Sequence, residues 1–268
     1  MTLHPFDQAT TLERQADGAW LGHTSPAYAN MVGPFGGITA AQALCAVLRH
    51  PERLGDPVAL TVNFCAAVAY GAFVVLARPV RTNRSTQHWV IEMQQEGQAV
   101  LTATAVTAVR RETWSLDEEA MPACPPPHAV APPAERAPME FVKRYEQRPI
   151  TGGMPTVWDG SGDSSLTRLW VRDYPARPLD FASLSALSDI FFPRVFIRRS
   201  TLVPVGTVSM TVYFHADAEQ LAQTGSGYLL GQARAQAFRN GYFDHTGQLW
   251  NEAGVLLVTT HQLVYYKQ

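Results

Sequence analysis

Two tandem α+β domains, each an antiparallel sheet wrapped around one buried helix, are the architecture this 268-residue sequence predicts. Three observations carry the prediction. Residues 38–48 hold only two polar side chains, Thr39 and Gln42, so that stretch reads as a helix enclosed on nearly every side. Strand-like runs follow it at 58–67, 72–80, 85–94 and 99–109, the last two joined by a hairpin turn at Glu96 and Gly97. After a proline-rich interruption the plan returns: Phe64 in TVNF and Phe214 in TVYF stand 150 residues apart, and Gly97 and Gly254 stand 157 apart.

In chain order, residues 10–25 read as a short extended pair broken at Asp17-Gly18. A glycine-rich turn at 30–37 feeds the first helix, which must stop before Pro51. Residues 113–137 include MPACPPPHAVAPPAER, too rich in proline to lie inside a sheet, and form the expected linker between domains at 1–112 and 138–268. The second copy opens with strands at 141–150 and 166–174, separated by a glycine-rich stretch at 151–165. Its helix is expected over 179–193, with Asp180 as N-cap and Phe181, Leu184, Leu187, Ile190 and Phe191 at helical spacing. Strands at 207–215, 228–239, 241–251 and 255–266 complete it, and the polar connection 216–227 accommodates the seven extra residues of this copy. A sheet wrapped around one helix is the hotdog arrangement, and two copies make a double hotdog.

Composition bounds the function. A hydrophobic fraction of 46% supports real cores, and a net charge of -2 offers no broad basic face, so nucleic acid and anionic membrane are not expected partners. The N-terminus MTLHPFDQAT lacks a basic segment followed by an apolar run, and no apolar stretch approaches the ~18 residues of a span, so a cytoplasmic protein is expected. Cys45, Cys65 and Cys124 are odd in number and far apart, which argues against a disulfide framework. No G-x-S-x-G elbow, Walker sequence, G-x-G-x-x-G, HExxH or CxxC spacing occurs. The uncovered face of each sheet leaves room for a homo-oligomer.

Asp189 is out of place. It falls in the last turn of the expected second helix, where the negative end of the helix dipole opposes a carboxylate. Two readings stay open on the residues alone: a solvated carboxylate at a fraying end, or a general base in a cleft. Gly36 and Gly37 leave a similar choice, between backbone N–H groups offered to a substrate carbonyl or phosphate and simple helix-to-sheet clearance. Arg194, Arg198 and Arg199 follow the second helix as weak candidates for phosphate contact.

LSDIFF at the second helix, TVSMTVYFH in the next strand, GVLLVTTHQ in the last strand and GPFGGITAAQAL in the first half carry a resemblance. They resemble the type II acyl-CoA thioesterase (TesB-like) family of the double-hotdog thioesterase superfamily. The resemblance implies hydrolysis of an acyl-CoA to a free acid and coenzyme A, with a water-activating trio that falls on Asp189, Thr207 and Gln262. Such chemistry needs neither metal nor cofactor: a carboxylate takes a proton from water while hydroxyl and amide groups orient it. An acyl-enzyme on Asp189, a noncatalytic acyl-thioester binding protein and a hotdog hydratase or dehydratase are the rivals.

The repeat offsets carry the trio back onto Thr39, Pro57 and Ala105, none of which can replace its counterpart. One active centre per chain is therefore expected, with the first copy lending part of an acyl tunnel. Two positions depart from the family pattern, Ser209 for an acidic residue and Ala186 for an aromatic one, and both are expected beside the reacting centre. His215 and His261 flank the resemblance segments, but alternation points His261 away from Gln262.

Overall fold

The computed structural model describes residues 3–134 and 138–268, so Met1, Thr2 and residues 135–137 of the expected linker lie outside the described residues. The chain opens with a short helix that its sequence did not announce, α1 (Pro5–Ala9), then the paired strands β1 (Glu13–Arg14) and β2 (Trp20–His23). Helix α2 (Gly36–Leu48) follows, with every residue from Gly37 to Val47 buried. Next come β3 (Asp56–Phe64), β4 (Ala72–Thr82), β5 (Thr86–Gln95) and β6 (Gln98–Ala108). Glu96 and Gly97 both take positive φ, 50° and 75°, which a two-residue hairpin turn between β5 and β6 requires.

The second half begins with β7 (Tyr145–Thr151), later than expected. Residues Glu140–Arg144 form a 3-10 turn instead, in which Phe141 stacks on Phe35 at 4.3 Å and its N–H bonds Ala29 O. Strand β8 (Thr167–Asp173) leads to α3 (Phe181–Leu187), which Asp180 caps through Ser183 N–H. The expected helix over 179–193 is corrected here: after Leu187 the bonds tighten to Asp189 N–H on Ala186 O and Ile190 N–H on Leu187 O, and Pro193 has no N–H to continue the ladder. A new helix, α4 (Arg194–Arg199), starts after the proline.

The remaining elements are β9 (Val205–Phe214), α5 (Ala218–Thr224), β10 (Leu229–Arg234), the two-residue β11 (Phe238–Arg239), β12 (Tyr242–Asn251) and β13 (Leu256–Tyr266). The 216–227 connection holds a helix because Asp217 and Gln220 form a reciprocal capping box.

All pairings between strands are antiparallel, and the sheet runs β1-β2-β4-β5-β6-β3-β9-β13-β12-β10-β8-β7, with β11 on β12. That order reads the same from either end if each first-half strand is exchanged for its second-half copy, so the sheet is a double hotdog joined along β3 and β9. Helices α2 and α3 pack on each other, and one continuous core runs through both halves. Residues 113–126 form no helix or strand but lie on the sheet: Trp170 Nε1 donates to Pro125 O at 2.8 Å and Trp250 Nε1 to Glu119 O at 3.4 Å. Among the described residues no helix is long and apolar enough to cross a membrane.

Candidate active site

The turn after α3 carries Asp189, half-buried between fully enclosed neighbours. Its carboxylate meets two elements, β13 and α2, and β9 supports the first of them. Gln262 Nε2 on β13 donates to Asp189 Oδ1 at 2.8 Å, Gln262 Oε1 accepts from Thr207 Oγ1 on β9 at 3.5 Å, and the N–H of Gly37, in the first turn of α2, stabilises the charged form. The oddity of an acid near a helix C-terminus is thereby resolved. Asp189 is turned toward the positive end of the 13-residue helix α2 from the other half. Burial pushes its carboxyl up to about 7, against the opposing pull of Gln262 and Gly37.

Thr207 reaches this face through an irregularity. Met210, Val212 and Phe214 point into the core, so strict alternation would turn Thr207 outward. A bulge shifts the register between Leu263, paired with Ser209, and Val264, paired with Thr207, and returns Thr207 to the side of Gln262. The same bulge leaves Ser209 on the outer face beside Thr211 and Tyr213, lining an open hollow of ≈ 310 Å³. Ser209, expected beside the reacting centre, therefore lies on the sheet face opposite Met210, in a hollow whose lining also includes Gln262.

The first half repeats the framework without the chemistry. Pro57 pairs with Thr107 across an equivalent bulge and Ala105 pairs with Leu60, as Thr207 pairs with Val264 and Gln262 with Met210. Thr39 lies inside the unbroken α2, where its hydroxyl donates to Phe35 O. None of these three offers a base.

Gly36 and Gly37 stand against the carboxylate and not in open space. A Cβ on Gly36 would lie 2.8 Å from Asp189 Oδ2, and one on Gly37 would lie 2.5 Å from Ala186 O. Ala186 is completely enclosed at this helix crossing, so the absent aromatic reflects contact with α2.

Two neighbours, His245 and Tyr145, went unnoticed in the sequence, and a third, Arg194, takes a different role from the phosphate contact considered there. His245, directly across from Gln262, is buried with its ring edge-on to Phe191 at 5.4 Å, and burial drives its pKa well below the usual range. Arg194 is fully buried; instead of meeting solvent it donates to Phe192 O, Ser165 O and Thr167 Oγ1 and ties the Asp189 turn to β8. Tyr145 packs edge-on against Phe35 at 6.0 Å and lines a cleft of ≈ 580 Å³ together with Val142, Gln147, Met154 and Phe192. That cleft is built from residues of 131 onward, so the first half does not line it. His261 faces outward to Asp244 at 3.4 Å and His215 bonds Thr259, both away from the trio. Among the described residues no cluster of three or more His, Cys, Asp or Glu could hold a metal ion.

Comparison with known proteins bears on this arrangement. Residues 121–266 match the model of the acyl-CoA thioesterase C-terminal domain, and residues 25–108 match that of the acyl-CoA thioesterase N-terminal domain. Among solved structures, a conserved hotdog-fold protein of unknown function from Alicyclobacillus acidocaldarius is 49% identical, with a TM-score of 0.95 over 100% of this chain and 99% of that one. An acyl-CoA thioesterase II, TesB2, from Mycobacterium marinum is 17% identical, with a TM-score of 0.77 over 98% of each chain. The tesB protein of Mycobacterium avium subs paratuberculosis is 18% identical, with a TM-score of 0.79 over 100% of each chain. These last two show a shared fold. No curated protein matches.

Proposed function

From the premise that this chain belongs to the acyl-CoA thioesterase family, we propose that it hydrolyses an acyl-CoA at Asp189, with Gln262 and Thr207 as its orienting partners. The observation that carries the assignment is the 2.8 Å bond from Gln262 Nε2 to Asp189 Oδ1 at the N-terminus of α2.

A carboxyl titrating near 7 is suited to a general base, because it is substantially ionised at neutral pH and still basic enough to accept a proton. Asp189 takes a proton from water as the water oxygen bonds to the thioester carbon. The resulting oxyanion collapses, the carbon–sulfur bond breaks, and Asp189 returns its proton to the departing coenzyme A thiolate. Gln262, fixed by Thr207, restrains the carboxylate so that one oxygen stays available to water. The N–H of Gly37 is engaged by Asp189, so the first-turn N–H of Gly36 on α2 is the proposed donor to the substrate carbonyl. The apolar cleft bounded by Phe192 and Tyr145 is the proposed seat of the acyl group.

This reading gives one site per chain, carried by residues 138–268, with residues 1–112 supplying α2 and residues 113–137 joining the halves. The test is thiol release from a panel of acyl-CoAds of graded length by wild type and Asp189→Asn. A loss of about two to four orders of magnitude in the folded variant supports direct water attack. Tight acyl-CoA binding without thiol release by wild type would identify a binding protein instead, and a trapped acyl group on Asp189 would identify the covalent route.

A further inference from the structure

Four buried polar atoms around Tyr145, beside the Asp189 site, have no hydrogen-bond partner among the described residues: the hydroxyls of Tyr28 and Tyr145, Asp173 Oδ1 and Arg177 Nη1. They belong to both halves of the molecule. Tyr28 precedes α2 in the first, whereas Tyr145 and Asp173 face each other directly across β7 and β8. The tyrosine rings meet edge-on at 6.3 Å. Arg177 Nη1 stands 3.9 Å from Asp173 Oδ2, beyond direct hydrogen-bond reach, while that oxygen already accepts from Ser183. Tyr28, Tyr145 and Asp173 are 0%, 1% and 3% exposed, so bulk solvent does not satisfy them. Protein interiors rarely leave such groups unpaired, and a buried water is the usual remedy where about two to four polar partners surround one point.

We infer that Tyr28, Tyr145, Asp173 and Arg177 enclose an ordered internal water, and that this water makes Tyr145 a positioning residue for the candidate active site. The hydroxyl end of Tyr145 is fixed by the enclosed water. One side of its ring touches Phe35, the residue immediately before Gly36 and Gly37, and the side chain also lines the cleft that Phe192 closes. Holding that ring holds both the wall of the cleft and the start of α2. The inferred water needs no assumption about the reaction; the positioning role rests on the thioesterase reading.

The experiment is a high-resolution crystal structure of the full chain, with steady-state acyl-CoA hydrolysis by wild type, Tyr145→Phe and Tyr28→Phe. The expected wild-type density shows a water within about 3.2 Å of Tyr28, Tyr145 and Asp173. Both variants keep their rings, so KM stays within about twofold while kcat falls about three- to tenfold. Tyr28→Phe is the discriminating case, because Tyr28 does not line the cleft and acts on Tyr145 through the shared water. A dry chamber overturns the inference whether or not either variant folds. Wild-type kcat in both variants overturns the positioning role. Absence of any acyl-CoA hydrolysis by wild type removes the thioesterase reading and the positioning role with it, and leaves the water to be decided by density.

Discussion

The hydroxyls of Thr61 and Thr211 lie 3.0 Å apart across β3 and β9, and the two residues are also register partners. They are 150 positions apart, the offset at which TVNF matches TVYF, so each is the other's counterpart. A residue paired with its own repeat in an antiparallel ladder marks a local two-fold axis. The two domains are therefore joined strand to strand at equivalent positions, which converts two potentially exposed edges into the middle of a sheet.

Replacing either threonine by valine leaves the partner hydroxyl without its neighbour on a half-exposed surface. Each single variant is expected to lose about 0.5–1 kcal/mol. The double variant should lose no more than the larger single, because the same bond is removed twice. Urea denaturation of the four proteins in a double-mutant cycle measures this coupling; strict additivity would show that the 3.0 Å contact contributes nothing.

The pH dependence of hydrolysis should report Asp189. With its carboxyl near 7, kcat/KM rises with pH along a limb centred near that value and levels above it. Gln262 holds the pKa down by donating to the ionised form, so Gln262→Ala should move the limb to higher pH as well as slow the reaction. An unmoved limb in Gln262→Ala would assign the titration to another group.

The repeat and the enclosed α2 were legible because both depend on local patterns, apolar runs and recurring strands. The site was only partly so. Asp189 stood out against the helix dipole, but what favours it, Gly37 of the other half, is fixed by the crossing of α2 over α3 and leaves no local signal. Thr207 faces inward by virtue of a bulge, which alternation along VGTVSMTVYF cannot reveal. Arg194 read only as a weak candidate for phosphate contact because its acceptors, Phe192 O and Ser165 O, are backbone carbonyls that any sequence would supply. The same holds for His245, which becomes a neighbour of Gln262 only once β12 and β13 are in register.

Gly36 and Gly37 are adjacent, yet alanine should act differently at each. At Gly37 the new methyl would press on the Ala186 carbonyl at 2.5 Å, backbone against backbone, and forcing α2 from α3 should cost about 1–3 kcal/mol. At Gly36 it would meet the free end of Asp189 at 2.8 Å, which a side-chain rotation relieves. Gly36→Ala is therefore expected to fold with near-normal stability and lose more than about tenfold in kcat. Thermal melts paired with thiol-release kinetics distinguish the two; equal effects on both readouts would refute the distinction.

Ionisation of Asp189 should also cost stability, with a sign that runs opposite to that of an ordinary paired carboxylate. Its pKa is about 7 in the fold and near 3.8 when unfolded, so between these values the native state binds more protons than the unfolded chain. Stability attributable to this group is then fully present below about pH 4 and is lost as pH rises through 7. Asp173, raised to about 6 by burial, acts in the same direction, but its effect is common to wild type and an Asp189 variant and cancels in their difference. Asp189→Asn abolishes the titration while keeping an oxygen for Gln262 Nε2. It should therefore melt higher than wild type at pH 8, by roughly 1–3 kcal/mol or a few °C, and converge with wild type toward pH 4. Calorimetric melts at the two pH values provide the measurement. A variant less stable than wild type at pH 8 would mean that the carboxylate is well paired in the fold and that its pKa is not raised.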